Sequence, residues 1–595
     1  MATRSGSSVR NGAERWPLAR RWLLVLAGSA GLAGFLVDWG IYDAWRYAGA
    51  LAALRGVAVG GFLLEGLIAA LTVRPWRDFF QARWPLLVLT LLLTAELAVI
   101  GLGGRAWLAP FLHSLSIATV TQAYVVLLQF FILGNMLINL QRLSSRLAQR
   151  RVRPMLVFLM AFAAVIVIGA GLLMLPRAAP RGHACSPLDA LFTSTSAVCV
   201  TGLVVRDTGG DFTRLGQWII LVLIQLGGLG IMSITATLAL LLGRGIGVRE
   251  GSLLREIFQI DFVDQVGRTL RFIVLFTVAT ELVGAALLYA GFADAIPARD
   301  ARAFSALFHA VSAFCNAGFS TWTDSLCGFA DVPLVHLTVV ALLITGGLGF
   351  SVVGNLLFFL RGRLQGVRSG AGRRLNVQTR LVLRSTLILV AGGALLLAIL
   401  EWDGAFAGRP TGERLGLALF QAATPRTAGF TTVDLAHLSQ AALVLQILLM
   451  FIGASSGSTG GGVKVTTIAV LWSHLRAIVA GHPHARLHDR EISTQTVRQA
   501  TFVVMANVLV GTAGMFLLLL IEGCEALPAA YEVYSALGTV GLSLGLTPGL
   551  SAAGKLLIVL LMFYGRVGPL AIAYGVVRPT REHGVRLPAS RLMIG

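Results

Sequence analysis

Four stretches of the chain repeat one pattern, and this repetition limits the fold more than any other feature. They read FTSTSAVCVTGL (192–203), FHAVSAFCNAGF (308–319), FQAATPRTAGF (420–430) and YEVYSALGTVGL (531–542). An aromatic residue stands ten positions before a glycine in three of them and nine in the third. The glycines are Gly202, Gly318, Gly429 and Gly541, each followed by Leu or Phe. About 24–28 residues after each glycine comes a second glycine patch: GGLG at 227–230 and 346–349, GASSGSTGGG at 453–462, and YGRVG at 564–568. Two features in phase across four intervals mark an internal repeat, so the fold must be assembled from four equivalent units.

Composition tells where those units sit. Of 595 residues, 56% are hydrophobic and 13% charged, against about 25% charged in soluble domains. Several segments, Met155–Leu175 among them, exceed the roughly 18 apolar residues that cross a bilayer. An all-α polytopic membrane protein is expected. The net charge of +20 suggests nucleic acid at first sight, but the basic residues fall in short clusters between apolar spans. That is the distribution of cytoplasmic loops, so no nucleic-acid partner is expected and membrane lipid is. Arg20 and Arg21 precede a span without a following small-residue cleavage site, which reads as a first transmembrane helix rather than a removed signal. The five cysteines have no metal-ligand spacing. Cys199, Cys315 and Cys524 read as packed small hydrophobes, and a bridge between Cys185 and Cys327 in outer loops is an open alternative.

Seven basic clusters, around residues 4–21, 74–83, 142–153, 244–271, 361–384, 476–498 and 578–591, are taken as cytoplasmic. Each interval then holds an even number of crossings. Residues 1–150 read as an N-terminal extension of four transmembrane helices with both ends inside and no assigned role. Arg55, Glu65 and Glu96 lie within its spans, where a mutual pair is the conservative reading. Residues 151–595 read as a translocation domain of four repeats, about 151–245, 265–362, 380–478 and 495–580. Each has a first span, a short amphipathic segment, a glycine turn and a second span. Both termini are expected in the cytoplasm.

The short segment is about ten residues long, too short to cross and too apolar for a water-exposed loop. A re-entrant half-helix satisfies both conditions, and its non-helical turn must line a cavity. Such a half-helix points its negative C-terminal end at the membrane centre. Four of them around one axis present a ring of carbonyl oxygens, a site for a dehydrated monovalent cation. The expected selectivity filter is Val200, Thr201, Gly202; Asn316, Ala317, Gly318; Thr427, Ala428, Gly429; and Thr539, Val540, Gly541. A single such turn would read as ordinary helix-cap chemistry; the four copies decide for the filter.

The patches at 227–230 and 346–349 read as close helix packing. The third differs. Ser455, Ser456, Gly457, Ser458, Thr459, Gly460, Gly461 and Gly462 cannot remain regularly helical in a bilayer, so an intramembrane loop on the pore path below the filter is expected. A nucleotide-binding P-loop is excluded, because Val463 separates Gly462 from Lys464 and no Ser or Thr follows the lysine. Lys464 belongs to this gate or extends to the cytoplasmic interface. Arg566, at matching depth in the fourth repeat, is read as pore-facing, with a packing anchor on helix carbonyls as the alternative. His482, His484 and His488 read as a solvated loop rather than a metal site. Glu401, Asp403, Glu413, Glu522, Glu525 and Glu532 gather in outer segments, either drawing cations to the mouth or forming a soluble surface. No nucleophile–base–orienter constellation is visible, so no covalent chemistry, covalently bound cofactor or enzyme activity is expected.

TSAVCVTGL, GGLGIM, AFCNAGFST, GGLGF, TPRTAGFTT, GASSGSTGGGVKVTT and SALGTVGLSLGLTP together resemble the ion-translocating subunit of the Trk/Ktr/HKT potassium transporter superfamily. The resemblance covers residues 155–580, about 70% of the chain, and not residues 1–150. It implies four membrane–pore loop–membrane repeats around one pore, the filter glycines Gly202, Gly318, Gly429 and Gly541, a gating loop at Ser455–Lys464 and a pore arginine at Arg566. Glycine rather than serine at position 202 implies potassium. The resemblance also implies a homodimer and a separate cytosolic nucleotide-binding regulatory ring, since the chain shows no dinucleotide-binding unit. The expected function is potassium uptake across the cytoplasmic (inner) membrane, with sodium as a candidate coupling ion. The alternatives are sodium or another monovalent cation through the same pore, or a membrane scaffold or signalling protein that transports nothing.

Overall fold

The computed structural model describes residues 154–230, 266–365, 374–487 and 490–576, and scattered positions between 23 and 64. Two compact units divide the chain: 1–150 with 175–184, and 151–174 with 185–595. In the first, most described positions between 23 and 64 are helical, and Tyr42 Oη donates to the Ala179 carbonyl at 2.7 Å. Arg55, Glu65 and Glu96 lie outside the described residues, as do His488 and the spans expected over 85–139.

In the second unit each repeat supplies a first helix, a pore helix and a second helix. Repeat 1 has α1 (Pro154–Leu173), α2 (Pro187–Cys199) and α3 (Arg214–Leu229). Repeat 2 has α4 (Val266–Gly291), α5 (Arg299–Phe314), α6 (Pro333–Leu348) and α7 (Phe350–Leu364). Repeat 3 has α8 (Val377–Glu401), α9 (Thr411–Ala423), α10 (Gln440–Phe451) and α11 (Val465–Val479). Repeat 4 has α12 (Thr494–Glu522), α13 (Ala526–Gly538), α14 (Ala552–Val567) and α15 (Pro569–Val576). A two-stranded hairpin, β1 (Arg486–Leu487) against β2 (Arg490–Glu491), separates the last two repeats.

The first helices face lipid. Leu270–Gly291, α8 and α12 are each long and apolar enough to span. Their outward leucines are exposed, Leu275 by 70%, Leu387 by 68% and Leu509 by 71%, while Thr277, Thr386 and Asn507 on other faces are buried. The chain is a multi-pass membrane protein. The pore helices invert this pattern. All residues from Phe192 to Cys199 are buried, polar ones included, and the repeat-defining aromatics Phe192, Phe308, Phe420 and Tyr531 are fully buried. These helices run 13, 16, 13 and 13 residues, longer than the ten expected, because each begins a few residues ahead of its repeat aromatic, with a charged residue in the first turn of the first three. Ser186 caps α2 by accepting from the Asp189 N–H at 3.1 Å.

The second helices break where the deeper glycines lie. Helices α6 and α7 meet at Gly349 (φ 90°) with a 102° bend. Helices α14 and α15 meet at Gly568 (φ 85°), and α3 ends at Gly230 (φ 74°). The patch 346–349 therefore does more than pack helices: its first glycine packs and its last bends the chain.

The helix contacts close a ring. Each second helix packs on the pore helix of the following repeat: α3 on α5, α6 on α9, α10 on α13, and α14 back on α2. Lys555 Nζ on α14 meets Asp189 Oδ1 on α2 at 2.7 Å, tying repeat 4 to repeat 1.

Candidate functional site

Each pore helix ends in a turn that its sequence makes costly. Val200, Asn316 and Thr539 follow their helices in the left-handed region, with φ of 58°, 61° and 51°. Thr427 does the same at 72°. The next N–H in repeats 1, 2 and 4 reaches back five residues, from Thr201 to Ser196, Ala317 to Ser312 and Val540 to Ser535, at 2.8, 2.7 and 2.8 Å. This is a Schellman closure with β-branched or amide residues where glycine is usual. The left-handed geometry costs about 1–2 kcal/mol per non-glycine residue, and such strain persists only where the surroundings over-determine it. Repeat 3 is one residue shorter, and its closure tightens accordingly: the Ala428 N–H reaches back four residues to Thr424 at 2.9 Å. That explains why its aromatic stands nine positions before the glycine.

The turns then converge. Gly202, Gly318, Gly429 and Gly541 have φ of 93°, 71°, 76° and 94°. A Cβ on Gly202 would collide with the Ala317 carbonyl oxygen, on Gly429 with that of Val540, and on Gly541 with that of Thr201. On Gly318 it would stand 2.9 Å from the Ala428 carbonyl oxygen. Each glycine thus faces the carbonyl of the middle filter residue in the next repeat, in the same cyclic order as the helices. Left-handed residues alternate with ordinary ones along each strand. The side chains of these turns are buried. Among the described residues, Thr201 Oγ1 and Thr539 Oγ1 are buried without a hydrogen-bond partner.

Hydroxyls hold the strands in place. Ser196 Oγ accepts from the Gly202 N–H and Ser535 Oγ from the Gly541 N–H, both at 3.0 Å. Ser312 Oγ donates to the Phe319 carbonyl at 2.8 Å and Thr424 Oγ1 to that of Phe430 at 2.6 Å. These four residues escaped sequence reasoning, although a hydroxyl six positions before the glycine, or five in repeat 3, was there to be aligned. Gly227, Gly346 and Gly565 were also undervalued. A Cβ on any of them would strike a carbonyl near the end of its own pore helix, that of Val198, Phe314 or Leu537.

Below the filter, residues 452–464 interrupt repeat 3 as expected. Ile452 pairs with Val463 in a parallel bridge, closing the loop at its base. The Ser455 N–H donates to the Gly347 carbonyl at 3.0 Å and the Thr459 N–H to that of Gly346 at 3.3 Å. The Phe350 N–H donates to the Gly457 carbonyl at 3.1 Å. Gly460 and Gly461 lie directly against the side-chain oxygens of Thr427 and Thr539. Asn316 completes this layer, its amide oxygen accepting from Thr427 Oγ1 at 3.3 Å. Gly462 touches the end of α13, where a Cβ would lie 3.4 Å from the Gly538 carbonyl. Ser458 Oγ donates to the Ser455 carbonyl at 2.7 Å, and Ser455 Oγ to that of Ser456 at 3.4 Å.

Both cations grip this loop. Lys464 Nζ turns inward and donates to the Gly460 and Gly461 carbonyls at 2.8 and 3.1 Å. Arg566 donates to the Thr459 carbonyl and also to the Gly227 carbonyl of α3. It joins the loop of repeat 3 to the second helix of repeat 1 through carbonyls, the contact of the packing-anchor alternative.

The outer acids divide. Glu401 accepts from the Ser439 N–H (2.9 Å) and Oγ (2.5 Å), joining the end of α8 to the start of α10. Glu522 does the same for α12 and α14 through Ser551, at 3.0 Å from N and 2.7 Å from Oγ. Glu532 is fully buried and accepts from Ser543 and Thr547. These three carry the loops rather than the mouth. Cys185 and Cys327 are separate free thiols.

The family model TrkH, described as cation transport protein, matches residues 120–579. The chain belongs to the TrkH family. The match starts inside the segment read as an extension. Among TrkH-family relatives, the Ktr system potassium uptake protein B of Bacillus subtilis is 36% identical over 447 residues, which is 75% of this chain and 97% of that protein. The potassium/sodium uptake protein NtpJ of Enterococcus hirae is 34% identical, over 76% of this chain and 100% of that protein. The crystal structure of the potassium transporter TrkH from Vibrio parahaemolyticus superposes with a TM-score of 0.59 and 20% identity. It covers 82% of this chain and 97% of that one, a likeness of fold.

Proposed function

We propose that this TrkH-family chain carries potassium into the cell across the cytoplasmic membrane. The observation that supports it most is the closed relay of glycines and carbonyls, in which Gly202, Gly318, Gly429 and Gly541 each abut the next repeat's carbonyl. Backbone oxygens collected around one axis replace the hydration shell of a monovalent cation. The partnerless hydroxyls of Thr201 and Thr539 add ligand capacity beside that ring. Relatives named for potassium uptake make potassium the ion. The membrane potential supplies about 2.3 kcal/mol per charge per 100 mV for inward movement.

In this reading the twelve filter residues bind the ion and the loop 455–464 is the gate, held shut by Lys464 and Arg566. Residues 151–595 form the translocation domain. The working unit is a homodimer in the inner membrane, with both termini in the cytoplasm. A separate cytosolic nucleotide-binding ring acts on the gate, consistent with relatives named as parts of a Ktr system. A second reading gives sodium a role as permeant or coupling ion, because one relative's name includes both ions. Flux from proteoliposomes of purified protein, with potassium or sodium alone and then with a sodium gradient, tests both. Equal permeation of the two ions ends the potassium assignment, and absence of any flux from opened protein ends the transport assignment.

A further inference from the structure

A cavity of about 640 Å³ lies between the start of α8, the end of α11 and the segment 480–487. It falls within the 300–1,000 Å³ range of small-molecule sites, and nothing in the transport reading uses it. Its lining is divided by chemistry. Leu389, Ile468 and Trp472 make an apolar wall. Arg384, Arg476, Arg486, His482 and His484 make the other part of the lining, and among the described residues no Asp or Glu lines it. Arg476 lies over the Trp472 ring, 5.3 Å from its centroid, the pairing of cation and indole found where a bilayer meets water. The ion pair of Arg486 with Glu491 at 3.3 Å is exposed and weak, and leaves that guanidinium available. Ser473 Oγ holds the Arg486 carbonyl at 2.6 Å, so the basic segment is anchored to α11.

An occupant of such a cavity must be anionic at one end and apolar at the other, and must be present at the membrane boundary. We infer that the cavity binds an acidic phospholipid, headgroup on Arg476 and Arg486 and acyl chain along α8 and α11. Basic residues beside a bilayer select acidic lipids in this way. The site also reaches the proposed gate: Ile452 and Val465 line it, and they are the residues on either side of the loop 453–464. A lipid in the cavity thus bears on the base of the loop.

Native mass spectrometry of the full-length protein in detergent tests this without relying on transport, so its failure leaves the transport reading standing. The protein is titrated with phosphatidylglycerol, with phosphatidylcholine of the same chains, and with inorganic phosphate. Phosphatidylglycerol should remain bound, phosphatidylcholine should bind about tenfold more weakly or worse, and phosphate should leave no adduct. The double variant Arg476→Gln, Arg486→Gln should remove that preference. Leu389→Trp, which fills the apolar part, should remove lipid binding altogether. Equal binding of both lipids, retention by Leu389→Trp, or binding of phosphate alone overturns the inference. Should a variant fail to fold, quenching of Trp472 by brominated phosphatidylglycerol, taken as wild type minus Trp472→Phe, decides instead. Quenching no greater than with brominated phosphatidylcholine also overturns it.

Discussion

The carbonyl oxygen of Thr201 occupies the space in which a side chain on Gly541 would begin. Residues 340 positions apart in the chain are thereby in backbone contact, and the same relation joins each of the other glycines to its neighbour. The absence of a side chain at four places is what lets four strands reach one axis.

Gly541→Ala puts a methyl group into that contact at φ 94°. Overpacking costs about 1–3 kcal/mol, and the left-handed backbone adds about 1–2 kcal/mol. We expect a transport-deficient host carrying the variant to need at least tenfold more potassium for growth. Growth like that of the wild type would contradict the filter assignment.

Arg566→Gln removes a charged donor shared between the Thr459 and Gly227 carbonyls. Hydrogen bonds to charged groups contribute about 1.5–3 kcal/mol each, so the loop loses its tie to α3. The expected result is a several-fold rise in maximal potassium uptake with little change in KM, read from initial rates at varied potassium. Arg566→Lys, which keeps the charge but not the fork, should fall between. A fall in uptake for Arg566→Gln with normal protein levels would place the arginine in conduction rather than closure.

The Lys555–Asp189 pair is largely buried, its side chains 17% and 19% exposed. Lys555→Met should lower unfolding free energy by about 1–3 kcal/mol, and pairing it with Asp189→Asn should restore part of the loss. Thermal unfolding of the four proteins in detergent gives the coupling. Additive losses would show that the two residues act separately.

Cys185 and Cys327 stand in the loops before α2 and after α5, and burial pushes both thiols above their usual range. A raised folded-state pKa keeps the thiolate scarce near neutral pH. Maleimide labelling of the folded protein should be slow at pH 7 and accelerate as pH rises, while the unfolded chain labels quickly. The sign for stability follows: this contribution is fully present below the unfolded pKa and is lost as pH climbs through the folded one. A reducing agent should leave the melting temperature unchanged, because the two thiols are not joined.

The four glycine turns and the break in repeat 3 after Ile452 were legible in the sequence because repetition makes phase visible. A glycine recurring at one place in four units needs no knowledge of its neighbours. What lies between units was not legible. That Gly429 meets Val540 rather than Thr201 depends on the order in which the repeats close, and periodicity carries no such order. The same limit applies to Glu401, Glu522 and Glu532. An acid at the end of an apolar span looks alike whether it faces water or caps the next helix, and only the position of Ser439 or Ser551 separates the two. Arg566 was ambiguous for a related reason, since a lone intramembrane cation is equally costly facing a pore or a carbonyl.

The relay of contacts has a consequence for how the chain is made. Every strand of the filter leans on the strand that follows it, and the fourth leans on the first. A ribosome that has completed three repeats has therefore produced three unfinished walls, with Thr201 still waiting for Gly541. Until the last quarter of the polypeptide enters the membrane, the left-handed turns at Val200, Asn316 and Thr427 lack the contact that closes the circle. By this geometry the ring of turns, and with it the proposed ion path, closes only once the fourth repeat stands against the first.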